Sequence, residues 1–251
     1  MTLEAVTDLS KFRGFIYDYQ MPGFDPYLSP ELMMERLISF RFPFSREGVG
    51  ESYLADVRQS LLELPVFLLQ AMTYYKFTVQ LDTAHEIGAM MDIAKRSMYL
   101  HRFFMMDGQA FELRDNEVFP YGITETMLHE LGHFIDYVLT RKQKLSHTPL
   151  FKQAIRHDVE KIPKEMILSH QERVSLCHDA GGYLKLPPIE RKRVDLALFC
   201  LQTEETFAEA FLHLTSNGRS REVIPEFFPN TIDAVAFLTS YHLKRWQPSP
   251  L

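Results

Sequence analysis

The sequence predicts an α+β fold on three observations. Helical patterning comes early, runs of β-forming residues crowd the stretch from Lys76 to Asp115, and helical periodicity returns after Pro120 and holds to the end. Strands gathered in one region and helices in another, without alternation, is the order of an α+β chain.

Residues 1–50 mix aromatics, Pro and Gly around one short predicted helix, Pro30 to Phe40, with Ser29 as its N-cap. They read as an N-terminal arm or small subdomain, and residues 51–251 as the main domain. Helical patterning runs from Tyr53 to Tyr75, where Pro65 restarts the helix in a first turn that needs no N–H. KFTVQLD (76–82) is a predicted strand, followed by strands at 95–106 and 109–115, with Asp107-Gly108 as a hairpin turn between the last two. The strand-rich part thus ends near residue 120. ITETMLHELGHFIDYVLT (123–140) is then a predicted helix with Thr124 as N-cap. Within the helical part, 141–251, further helices are expected at 149–160, 163–177 and 203–216, the last stopped by Asn217-Gly218. A final helix runs from Ile232 to Arg245.

Composition narrows the function classes. The chain has 251 residues, 46% hydrophobic, and carries a formal charge of −6, with no surplus of Lys and Arg to hold a phosphate backbone. Nucleic acid is excluded as the expected partner. The N-terminus lacks the basic start and apolar run of a cleaved Sec signal, and the most apolar window, LPVFLLQAM (64–72), is too short to cross a membrane. The expectation is a soluble protein with no membrane partner, cytoplasmic or exported without a cleaved Sec signal. Two cysteines, Cys177 and Cys200, without disulfide-like spacing, are expected as reduced, partly buried thiols.

The chemistry centres on His129-Glu130-Leu131-Gly132-His133, an HExxH motif inside a predicted helix. At 3.6 residues per turn the two imidazoles lie one above the other on one face and can reach one cation. Glu130 lies about 100° round the helix from His129, placed to act on water as a general base without ligating. Residue frequencies give roughly a 3% chance of such a motif arising at random in a chain of this composition, so its helical, apolar context matters. A catalytic zinc takes a third protein ligand. The downstream segment TEETFAEAFLHL offers Glu204, Glu205 and Glu209, of which Glu205 and Glu209 share a face.

HELGHFID followed by EETFAEAF resembles the gluzincin metallopeptidases, most closely the anthrax lethal factor-like catalytic domains and the Pro-Pro endopeptidases. The resemblance implies a zincin-like fold, with a small mixed sheet and the active-site helix in the N-terminal part and a mainly helical C-terminal part. It implies one zinc per chain held by His129, His133 and Glu205, with Glu130 as base. It also implies that Glu209 orients a ligand histidine from behind, and that Asp136 does similar work or packs the helix. The substrate would be a protein or peptide bound in extended form along an edge strand, with 95–106 and 109–115 as candidate edges. In these families a Tyr stands seven residues before the zinc-binding Glu; here that position is Leu198. Tyr183 is the candidate substitute donor to the oxyanion. The departure at Leu198 keeps open a catalytically impaired zincin-like binding module or secreted effector.

Overall fold

The computed structural model describes residues 19, 21, 24, 28–38, 49–81, 89–100, 103–106, 109–114, 117–119, 121–140, 143–200, 202–216 and 220–246. The architecture is α+β and mostly helical. Two compact units are built on Asp18–Leu131 and Gly132–Trp246, and the division falls inside the continuous helix Ile123–Val138.

In the first unit, α1 (Pro30–Leu37) begins at Ser29, whose side chain accepts from the Leu32 N–H, with Pro30 in the first turn, as the sequence predicts. It packs on α2 (Val49–Leu62), α3 (Val66–Tyr74) and β1 (Thr78–Leu81), burying Met33, Met34 and Leu37. Pro65 holds the N-cap position of α3, so the break between α2 and α3 falls where the sequence places it. Phe67, Leu68, Leu69, Ala71 and Met72 are completely buried, which makes α3 a core helix.

Two three-stranded sheets follow. In one, β3 (Ser97–Leu100) lies between β1, to which it is parallel, and β2 (Ala89–Asp92), to which it is antiparallel. In the other, β4 (Phe103–Met106), β5 (Gln109–Arg114) and β6 (Glu117–Phe119) form an antiparallel meander. The predicted strand 95–106 is therefore two strands in two sheets. β4 and β5 pair across the predicted hairpin, with Met106 opposite Gln109; the turn residues Asp107 and Gly108 lie outside the described residues. β2 and β6 carry no clean alternation and escape the sequence pattern. Two of the candidate edges are corrected: β3 and β5 are central strands with partners on both sides, so their backbone groups are already paired. Of the two stretches, only β4 lies at an edge.

α4 (Ile123–Val138) carries HELGH. The expected cap at Thr124 is also corrected. Gly122 precedes the helix, its carbonyl accepts from the Thr126 N–H, and the Glu125 carboxylate accepts the Gly122 N–H at 3.1 Å. That is the N3-to-N-cap half of a capping box, and it leaves Thr124 at the second helical position, its hydroxyl donating to Glu63 at 3.1 Å.

The second unit is helical. α5 (Pro149–Val159) starts at a Thr148 cap, and α6 (His170–Ala180) starts at a full Ser169/Glu172 capping box and ends on Gly181 at φ 71°. A 3₁₀ turn, Lys164–Met166, stands where the sequence predicts the start of one helix at 163. α7 (Pro188–Asp195), unpredicted, runs into a π-helical turn (Leu196–Cys200) and then α8 (Thr203–Thr215). The short α9 (Val223–Phe227) precedes α10 (Pro229–Leu243), which packs on α5 and α8. Asn217-Gly218, the predicted stop of α8, lies outside the described residues. Among the described residues no helix is long and apolar enough to cross a membrane.

Candidate metal centre

α4 is buried on almost every side. Met127, Leu128, Leu131, Phe134 and Ile135 are at most 1% exposed, which fixes the rotation of the helix and hence the direction of its histidines. Glu205 comes from the first turn of α8, where the N-terminal helix dipole favours a carboxylate. Beyond that turn α8 is core: Phe207, Ala208, Ala210 and Phe211 are fully buried, and Phe207 meets Phe151 with ring centroids 5.5 Å apart.

Gly132 brings the two helices together. A Cβ at this position would lie 2.7 Å from the Ala208 Cα and 3.1 Å from its carbonyl oxygen. Only a residue without a side chain permits that approach. The contact stands beside His133 on one helix and three residues beyond Glu205 on the other.

His129, His133 and Glu205 each place a ligand atom within 4.8 Å of the others, and among the described residues theirs is the one such group able to hold a metal ion. His129 is buried, whereas the side chains of His133 and Glu205 are each 23% exposed, so the group opens to water on one side. His133 Nε2 and Glu205 Oε1 are 3.6 Å apart. That is too long for a hydrogen bond. Ligand atoms about 2.0–2.1 Å from a tetrahedral centre lie roughly 3.4 Å from one another, so the separation suits two ligands sharing a cation. Two imidazoles and one carboxylate are also the donor set of a catalytic site that keeps one position open. Glu130 is 9% exposed, next in sequence to His129.

The three carboxylates that the sequence leaves as alternatives are sorted by their partners. Glu204 is held by Lys144 Nζ at 2.6 Å and faces His147 Nε2 at 3.2 Å. The Lys144 hydrogen bond lowers its pKa below the ordinary value, against the opposing effect of burial. Lys144 is thus an ion-pair partner of Glu204. Glu209 is fully buried and ion-paired with Arg221, itself 3% exposed. Glu205 alone of the three joins the histidines.

Asp136 is buried at 1% exposure, with its carboxylate accepting the Ser146 N–H and hydroxyl, each at 2.7 Å. It ties the end of α4 to the 3₁₀ turn Leu145–His147, the helix-packing alternative of the sequence reading. Burial raises its pKa, and the Ser146 bonds oppose the rise. Tyr183 is 3% exposed and donates its one O–H to the Asp195 carboxylate, 3.0 and 3.1 Å from its two oxygens. Burial, then Asp195, raise the phenol pKa far above the ordinary value, so this hydroxyl stays protonated and directed at Asp195. Leu198 stands half-buried in the π-helical turn. Cys177 and Cys200 are buried and not joined in a disulfide, where partly buried thiols are expected.

Sequence reasoning passed over Gly132, Arg221 and Asp195. A glycine inside a strongly apolar helix was a usable signal of close helix contact; nothing local marks the other two. Comparison with protein-family models, curated proteins and solved structures yields no match to this chain.

Proposed function

We propose that this protein is a zinc-dependent metalloendopeptidase of the gluzincin type, built on a zincin-like fold. The observation that carries the reading is the convergence of His129, His133 and Glu205 at ligand spacing from two helices locked together at Gly132 and Ala208. When bound, zinc would supply Lewis-acid chemistry, lowering the pKa of a water toward about 7 and polarising a carbonyl. His129, His133 and Glu205 hold the ion and leave one side open. Glu130 takes the proton from the attacking water and returns it to the leaving amine, the two halves of general acid–base catalysis on one carboxylate. An extended peptide would pair with an edge strand; among the described residues β1, β2, β4 and β6 stand at sheet edges, β1 with a bridge to Ile38, whereas β3 and β5 are central.

A second reading is a zinc-bearing module that binds without cleaving. Two observations favour it: the half-buried Leu198 has no donor, and the Tyr183 hydroxyl serves Asp195.

The test measures zinc content and cleavage of a peptide library by wild type and Glu130→Gln. About one zinc per chain in both, with turnover falling 10²-fold or more in the variant, is the expected result. Equal turnover in the two proteins removes Glu130 as base, and zinc without cleavage in wild type selects the binding module.

A further inference from the structure

Behind the ligand Glu205 lies a buried set of charged and polar groups that peptide cleavage, as described, does not use. Asp195, at the end of α7, holds the Tyr183 hydroxyl. Cys200, at the end of the π-helical turn, accepts the Thr206 hydroxyl on its carbonyl at 3.1 Å, and Thr206 also donates to Gln202 at 2.8 Å, tying the turn to the start of α8. Glu209 pairs with Arg221, which reaches back from the segment after α8. Glu209 is one helical turn beyond Glu205 on the same face, so whatever fixes Glu209 fixes the rotation of α8 at Glu205. The groups are close enough to act on one another. Burial pushes the Cys200 thiol far up, Glu209, Asp195 and Glu205 push it the same way, and Arg221 opposes them.

We infer that Arg221 is a positioning residue for the metal ligand Glu205: its buried pairing with Glu209 holds that carboxylate away from the cation and sets α8 so that Glu205 alone meets His129 and His133. This inference rests on the metal centre proposed above. Without Arg221 the pairing that fixes the rotation of α8 at Glu205 is lost, and with it the three-ligand site with an open side.

The test separates position from stability. Breaking a buried ion pair by removing one member is strongly destabilising, whereas replacing both members with neutral side chains is often harmless to the fold. Arg221→Lys, Arg221→Met and the double variant Glu209→Gln/Arg221→Met are compared with wild type. Three measurements are made: thermal melting, zinc affinity by chelator competition, and the visible absorption of bound cobalt(II), which reports ligand number and geometry.

The double variant should melt near wild type yet bind zinc at least about 10-fold more weakly, with an altered cobalt spectrum, the loss typical when the support of a ligand is removed. Arg221→Lys should lie closer to wild type in affinity and spectrum. A double variant with wild-type zinc affinity and cobalt spectrum overturns the positioning role and leaves a purely structural pair, whether or not Arg221→Met folds. A wild type that takes up neither ion overturns the metal centre itself, and this role with it.

Discussion

The backbone of Gly132 meets the backbone of Ala208 so closely that an added Cβ would stand 2.7 Å from the Ala208 Cα. Because His133 follows Gly132 and Glu205 lies three residues before Ala208, the 3.6 Å spacing between the two side chains is inherited from this contact. The neighbouring atoms are backbone and cannot swing aside. Gly132→Ala should therefore cost about 1–3 kcal/mol of stability through overpacking, despite the better helix propensity of alanine. The same wedge pushes α8 from α4, so zinc affinity should fall with the melting temperature. A variant that melts at or above the wild-type temperature with unchanged zinc affinity would show that the helices part without consequence.

If His129, His133 and Glu205 hold the proposed zinc, ligands drawn from separate helices couple the cation to folding. A site present only in the folded chain stabilises it by about 2.7 kcal/mol when free zinc stands at 100 times its dissociation constant. For a chain of this size that is a rise of roughly 5–11 °C in melting temperature. The rise should vanish in His133→Ala and be reversed by chelation in wild type. Melting curves with and without added zinc decide the matter, and an equal rise in His133→Ala would place the ion elsewhere.

Local rules made much of this molecule legible. The Ser29 cap, the break at Pro65, the β4–β5 hairpin and the HELGH helix each follow from residues within a turn or two of one another. What escaped was decided over distance. β3 is central because strands on both sides pair with it, which no property of its four residues reveals. Thr124 has the side chain of a cap but loses the position to Gly122, because Glu125 reaches back to the Gly122 N–H. At the site, spacing marked His129, Glu130 and His133 and put Glu205 and Glu209 on one face beside Glu204, and only the family resemblance picked out Glu205 as ligand. The choice among those three is made by Lys144 and Arg221, one 60 residues before Glu204 and the other 12 beyond Glu209, so no window of sequence around α8 contains it.

His242, near the end of α10, is half-buried, and burial followed by the nearby Arg245 charge lowers its pKa below the ordinary 6.5. A histidine depressed on folding contributes stability that is fully present above 6.5 and is lost as the pH falls through its folded value. Relative to His242→Gln, the wild type should thus lose melting temperature as the pH drops below 6.5. Melting curves of both proteins at pH 7.5 and at stepwise lower pH give the comparison. A constant difference across that range would mean that His242 does not titrate between the two states.

Asp158 ends its isolation by capping a helix 73 residues away. Buried at 1% exposure near the end of α5, it accepts the Thr231 N–H and hydroxyl, each at 2.8 Å, and the Asn230 side-chain amide at 2.6 Å. A lone carboxylate would be costly there, but the first turn of α10 presents unpaired N–H groups and the positive end of a helix dipole, so the pair satisfies both. Asp158→Ala leaves those donors buried without acceptors and should cost roughly 1–3 kcal/mol. Asp158→Asn keeps one acceptor oxygen, loses the charge and should fall between the two. Because α10 packs on α8 as well as α5, the alanine variant should also loosen the helix that carries Glu205, with zinc affinity falling alongside stability. Chemical denaturation and chelator competition on the three proteins measure both effects, and an alanine variant as stable as wild type would show that water replaces the carboxylate at no cost.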